Sequence, residues 1–183
     1  QYSSRYDKLQ QGDAANVFRT SMSGGATMDI GVYTIYPMVA LFGMPQSINA
    51  QGIILSGGVD GQAAVNMTYP DMNATVVDSN LPSEIEGEKG NLLMSGIHVI
   101  HDVTFIPHRK PMSGQGPEEE RQAVAVEIDK SDYFYETAEF IDLVEKGKSE
   151  SENNSWENSY NTLRVTDEIR RQLGVVFPTD SAK

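Results

Sequence analysis

The chain has 183 residues, 39% of them hydrophobic, which is enough for one domain with a sizeable core. Its 26 acidic and 14 basic residues give a formal charge of -12, a field that repels phosphate backbones and anionic lipids, so neither nucleic acid nor membrane is an expected partner. The absence of cysteine excludes disulfides, thiolate metal sites and cysteine nucleophiles. No apolar run approaches the roughly 20 residues that span a bilayer and the amino end has no apolar signal core, so a cytoplasmic location is expected.

Residues 1–22 are polar with scattered apolar positions and read as an irregular lead-in. The stretch MDIGVYTIYPMVALF then predicts a helix from Asp29 to Phe42, stopped by Gly43 and Pro45. Pro37 removes the hydrogen bond to the Tyr33 carbonyl, which predicts either a kink or a short first segment holding Asp29 and Tyr33. Six β-rich runs follow, SINAQGIIL, QAAVNMTY, NATVVDSNL, NLLMSG, IHVIHDVTFI and QAVAVEI, separated by turn signals. Their links are mostly too short for helical crossovers, so a mostly antiparallel sheet is expected. The segment 107–121 carries proline, glycine and charge without periodicity and predicts a surface loop.

Two helices are predicted to close the chain. The first runs from Asp132 to Lys146 with Phe134, Ala138, Ile141 and Val144 on one face. The second runs from Ser155 to Leu173, with an apolar face of Trp156, Tyr160, Leu163, Ile169 and Leu173 and with Trp156 and Tyr160 read as core residues. The order of elements predicts one α+β domain, a six-stranded, mostly antiparallel sheet with helices on one face. The other face is left for a homodimer, with apolar groups of VVDSNL and AVAVEI available to it.

The motif that carries chemistry is SGGATMDIGVY. At helical spacing Asp29 and Tyr33 lie one above the other, presenting an acid and a phenol to one ligand. A lone Asp-x-x-x-Tyr is more often a surface hydrogen bond; the flanking Gly-Gly and Ile-Gly sharpen the functional reading. No Gly-x-Gly-x-x-Gly or Walker-type loop accompanies it. His98, His101 and His108 do not suggest a metal site, because residues 98 and 101 point to opposite faces of a strand.

SGGATMDIGVY resembles the Gly-Gly-(Gly)-x-hydrophobic-x-Asp-Ile-Gly-x-His/Tyr signature of the Gfo/Idh/MocA family of dehydrogenases, named for glucose-fructose oxidoreductase, inositol dehydrogenase and rhizopine catabolism. LFG follows at the family's spacing, GVDGQAAVNMTYP and EIEGEKGNLLMSG are similar to its later "GVD" strand and "GxxG" turn, and RRQLGVVFP is similar to the end of the dihydrodiol dehydrogenase branch. The resemblance covers roughly Phe18 to Pro178 and is weakest around 107–121.

It implies a C-terminal substrate-binding and oligomerisation domain that follows an N-terminal Rossmann domain, so 1–183 reads as the C-terminal part of a longer enzyme and 1–22 as the lead-in from that domain. The implied activity is NAD(P)-dependent hydride transfer to or from a sugar, polyol or diol, with NAD or NADP held mainly by the Rossmann domain and this chain inactive alone. Tyr33 is the implied acid/base group, since an unperturbed phenol titrates near ~10 and a neighbouring lysine brings it closer to working pH. Asp29, near the helix N-terminus, is expected to orient the substrate hydroxyl or that lysine. Gly24 and Gly25 permit close backbone approach to the nicotinamide or substrate, and Arg19 occupies a place facing the cofactor side. The alternative is a non-catalytic binding or assembly module with the same fold.

Overall fold

In the computed structural model, residues 16–77, 82–97, 100–107 and 121–181 are described. The described residues of 1–79 and 152–183 form one compact unit and those of 80–151 another.

The first unit opens with 3₁₀ turns at Asn16–Phe18 and Thr20–Met22 and a π-turn at Thr27–Gly31, which runs directly into helix α1, Val32–Phe42. Pro37 lies inside α1, and the irregular geometry sits one turn earlier, in the π-turn. Strands β1 (Ser47–Ile54), β2 (Asp60–Thr68) and β3 (Asn73–Val77) form an antiparallel sheet in the order β1-β2-β3. Side chains of β2 alternate, with Ala63, Val65 and Met67 buried between exposed neighbours, as expected of a strand with one wet face.

The second unit is a four-stranded antiparallel sheet, β4 (Ser83–Gly87), β5 (Gly90–Met94), β6 (Val103–Pro107) and β7 (Gln122–Val124), followed by helix α2, Asp132–Glu145. Helix α3, Trp156–Leu173, belongs to the first unit. Ser155 caps it by accepting the Asn158 amide at 3.1 Å.

The expectation of one six-stranded sheet is therefore corrected to two sheets of three and four strands among the described residues. The added strand is β4, whose sequence SEIEG alternates glutamates with small and apolar residues and pairs with β5 through the two-residue turn Glu88-Lys89. Short links identify hairpin neighbours, but they do not reveal where one ladder ends. Most of the 107–121 segment, together with His98 and His108, lies outside the described residues.

The core of the first unit is made by Ile35 and Val39 of α1, Ala63, Val65, Met67 and Tyr69 of the β2 segment, Ala74 of β3, and Val165 and Ile169 of α3. Burial pushes the Tyr69 phenol above its ordinary pKa. The buried face of α3 also takes in Thr162, Thr166 and Arg170, whereas Trp156, Tyr160 and Leu163 are exposed. This corrects the predicted face: Val165 and Ile169 centre the buried stripe, and the aromatic residues lie outside it. In α2 the predicted apolar stripe exists, and Phe134, Ile141 and Val144 are exposed.

Two polar clasps finish this unit. The Arg170 guanidinium donates to Asp167 at 2.7 Å and Asp180 at 2.9 Å and lies 4.0 Å from the Phe177 ring centroid, fixing the tail to α3. Gln172 reaches the edge strand β1, accepting the Ala50 amide and donating to the Ile48 carbonyl, both at 2.8 Å. Glu168 holds Gln172 in place by accepting a third hydrogen bond from it at 2.7 Å, and it also accepts two from Arg171.

The hydrogen bonds from Arg171 and Gln172 lower the Glu168 pKa from 4.5 to about 2. A carboxylate whose folded pKa is depressed contributes stability that is complete above its unfolded value and is lost as pH falls through the folded one. A Glu168→Gln variant should melt below the parent at pH 7, and the difference should close between about pH 5 and 2, as followed by circular dichroism.

Candidate active site

The site begins with a buried carboxylate. Asp60 starts β2 and is 0% exposed, although its even number would set it on the opposite face from Ala63, Val65 and Met67. The pairing of β1 with β2 explains this. Ile53 faces Gln62 and Ile54 faces Asp60, so Gly61 is skipped in a β-bulge that turns Asp60 inward.

There Asp60 Oδ2 accepts two hydrogen bonds from Thr27, one from the backbone amide and one from the hydroxyl, both at 2.7 Å. Hydrogen bonds to a charged group are each worth about 1.5–3 kcal/mol, against about 1–3 kcal/mol for leaving one buried acceptor unpaired. The second oxygen, Oδ1, is that unpaired acceptor among the described residues. The two bonds from Thr27 offset it.

Gly24 and Gly25 fit around this contact. A Cβ on Gly25 would lie 2.2 Å from Asp60 Oδ1, and the residue has a φ of +130°. A Cβ on Gly24 would lie 2.4 Å from the Val17 carbonyl oxygen. Both glycines are buried, and Gly25 donates to the Val17 carbonyl at 2.9 Å. The close approach that the glycines permit is thus to Val17 and Asp60 of the same chain. Arg19 is exposed, and its carbonyl accepts from Met22 and Gly24.

From Thr27 the chain enters the π-turn, which takes one more residue per hydrogen-bonded ring than an α-helix. Asp29 lies within it and Tyr33 on the α-helical segment beyond, so the two are not related by simple α-helical spacing. Both side chains are exposed, Tyr33 by 58%, and neither makes a hydrogen bond with another described side chain. At the far end, the Thr34 hydroxyl donates to the Gly31 carbonyl at 2.8 Å. A half-open recess of about 20 Å³ is lined by Thr27, Gly31, Thr34, Ile35, Ala63 and Val65 among others.

The arrangement presents a carboxylate and a phenol, neither partnered among the described residues, on the outside of a turn held from within. The sequence pattern points to Asp29 and Tyr33 and not to Asp60 and Thr27, which hold the turn. The signal was available in GVDG, where an acid flanked by glycine opens a strand whose alternation begins only at Gln62. No group of three or more metal-ligating side chains occurs among the described residues, and His101 is exposed.

The family model described as the GFO/IDH/MocA C-terminal domain matches residues 1–93. Over its whole length the chain is 39% identical to scyllo-inositol 2-dehydrogenase (NADP(+)) IolU of Bacillus subtilis, of which it covers 54%. It is 28% identical to trans-1,2-dihydrobenzene-1,2-diol dehydrogenase of Danio rerio over 87% of this chain and 49% of that protein. The chain thus spans about half the length of these relatives. Among solved structures, UDP-N-acetylglucosamine 3-dehydrogenase GnnA from Acidithiobacillus ferrooxidans superposes with a TM-score of 0.62 over 80% of this chain and 50% of that one, at 13% identity, a likeness of fold.

Two glycines of the motif should respond oppositely to alanine. Gly25→Ala forces a strained φ and a clash with Asp60, and should cost about 1–3 kcal/mol or more. At Gly31 the φ is -59° and a Cβ would meet only ordinary contacts of 3.5 Å and beyond, so Gly31→Ala should be neutral or gain up to about 1 kcal/mol. Denaturant unfolding of the two variants against the parent measures both.

Proposed function

Because the chain belongs to the GFO/IDH/MocA C-terminal domain family, we propose that it is the substrate-binding and oligomerisation part of a cytoplasmic NAD(P)-dependent dehydrogenase acting on a sugar, polyol or diol. The observation that carries this reading is the exposed pair Asp29 and Tyr33, unpartnered among the described residues, beside the buried Gly24-Gly25 turn. The names of the relatives, an inositol dehydrogenase and a dihydrodiol dehydrogenase, favour a ring or chain bearing adjacent hydroxyls.

The described residues offer the cofactor no enclosed cradle, since the space beside both glycines is filled by Val17 and Asp60. The chain's own contribution is therefore at the reacting end, and a Rossmann domain elsewhere in the protein holds the dinucleotide. When bound, the cofactor supplies the hydride acceptor or donor. Oxidation of a carbinol releases a hydride from carbon and a proton from oxygen, and Tyr33 Oη exchanges that proton with the substrate oxygen. Asp29 accepts a hydrogen bond from a substrate hydroxyl and fixes which carbon faces the nicotinamide. Arg19, which is exposed and whose carbonyl accepts from the Gly24 amide, is the residue that faces the cofactor. Without the nucleotide-holding domain the chain is inactive.

Self-association as a homodimer through a sheet face completes the reading. Val124, Val126 and Ile128, which carry the AVAVEI run, are exposed and supply apolar surface for it.

Replacing Tyr33 with Phe in the whole protein should lower kcat by roughly 10²–10⁴, the usual worth of a general acid or base. Steady-state reduction of NADP⁺ or NAD⁺ with scyllo-inositol, aldoses and vicinal diols is the measurement, and turnover within a few-fold of the parent removes Tyr33 from proton transfer. For the association, light scattering at tens of micromolar should give twice the chain mass, and a monomer at that concentration refutes the dimer.

A further inference from the structure

We infer that Asp60 is a positioning residue of the proposed reaction, acting through Thr27 on the π-turn that carries Asp29 and leads into Tyr33; this rests on the dehydrogenase reading of those two side chains. Asp60 is 0% exposed, so it cannot touch substrate. Among the described residues its hydrogen bonds go to Thr27, by the two 2.7 Å bonds from amide and hydroxyl.

Three features make that contact the restraint on the turn. A π-turn is a rare conformation with poorer local support than the α-helix that follows it, so something outside the turn has to hold it. Packing against the sheet leaves a half-open recess of about 20 Å³ lined by Thr27 and Gly31 of the turn and by Ala63 and Val65 of β2. The two ends are instead held by threonine hydroxyls, Thr27 donating to Asp60 and Thr34 to the Gly31 carbonyl. The Thr34 bond is local and survives in an α-helix as well. Only the Thr27 bond spans separate elements, 33 residues apart in sequence.

The bulge at Gly61 supplies the second line of support. Without it, Asp60 would lie on the wet face of β2 and could not reach Thr27. Gly25 supplies the third: any Cβ there would occupy the space of Asp60 Oδ1. A bulge, a glycine and a threonine thus converge on one carboxylate. Release of Thr27 frees the turn to relax toward α-helical spacing, which rotates Asp29 relative to Tyr33 and moves the carboxylate away from the hydroxyl it orients.

The test uses the whole protein with the best-used member of a panel of scyllo-inositol, aldoses and vicinal diols. Thr27→Val keeps the shape and loses the hydroxyl bond; it should lower kcat by about tenfold or more while KM changes little. Thr27→Ser restores the hydroxyl and should bring kcat back to within about twofold of the parent. In a Tyr33→Phe background, Thr27→Val should cause little further loss, because the misplaced groups no longer act together. An equal loss in both backgrounds marks a merely structural role and overturns the inference, as does a kcat for Thr27→Val within about twofold of the parent.

Hydrogen exchange gives an arm that needs no turnover. Asp60→Asn should speed exchange of the Thr27 and Asp29 amides while Val39 in α1 stays protected. Unchanged protection at Thr27 and Asp29 overturns the inference even if no substrate is found. Silence of Tyr33→Phe alone would overturn the proton-transfer role of Tyr33, leaving Asp60 to be judged by Thr27→Val and by exchange.

Discussion

The interaction on which the rest of the site depends is the clamp of Asp60 on Thr27. A carboxylate removed from water is costly unless its charge is met by donors, and here one threonine meets it twice with its amide and hydroxyl. That requirement propagates outward. The strand must bulge to aim Asp60, the chain ahead of Thr27 must lack side chains to let the carboxylate in, and the helix must start at a fixed place relative to the sheet. Asp29 and Tyr33 inherit that placement, and neither spends its polar atoms on a described side chain. The turn is held from inside, and the two polar side chains are left on its exposed side, an arrangement that fixes side chains without occupying them.

The same logic changes the meaning of the glycine pair. In the sequence, Gly24 and Gly25 suggest a backbone laid bare for a ligand. In the fold, both are buried against Val17 and Asp60. Their physical task in the fold is to let two parts of one chain meet.

Much of the fold is legible in the sequence because periodicity is a direct consequence of burial. The helices at 132–145 and 156–173, the ranges of β1 and β2 and the start of β3 follow from it closely. Three features escape it. The π-turn has the same apolar spacing as the α-helix it interrupts, so Asp29 and Tyr33 look like one helical face when they are not. Asp60 is hidden because the bulge at Gly61 shifts the phase of alternation by one residue, which makes a buried side chain look exposed. The outward placement of Trp156, Tyr160 and Leu163 escapes because α3 buries threonines and an arginine instead: Thr162 and Thr166 return their hydroxyls to helix carbonyls, and Arg170 is neutralised by Asp167 and Asp180. Hydrophobicity ranks such residues as wet, whereas pairing allows them to be dry.

The reach of Gln172 onto β1 has a consequence for how copies of the protein can meet. A bordering strand with free amides and carbonyls is a template for another strand, the route by which native sheets recruit neighbours and begin fibrils. At Ile48 and Ala50 that template is already taken, because the primary amide of Gln172 offers the same donor and acceptor that an incoming backbone would offer. A glutamine of the chain's own last long helix thus stands in for the missing strand and closes that stretch of the border to backbone pairing between molecules.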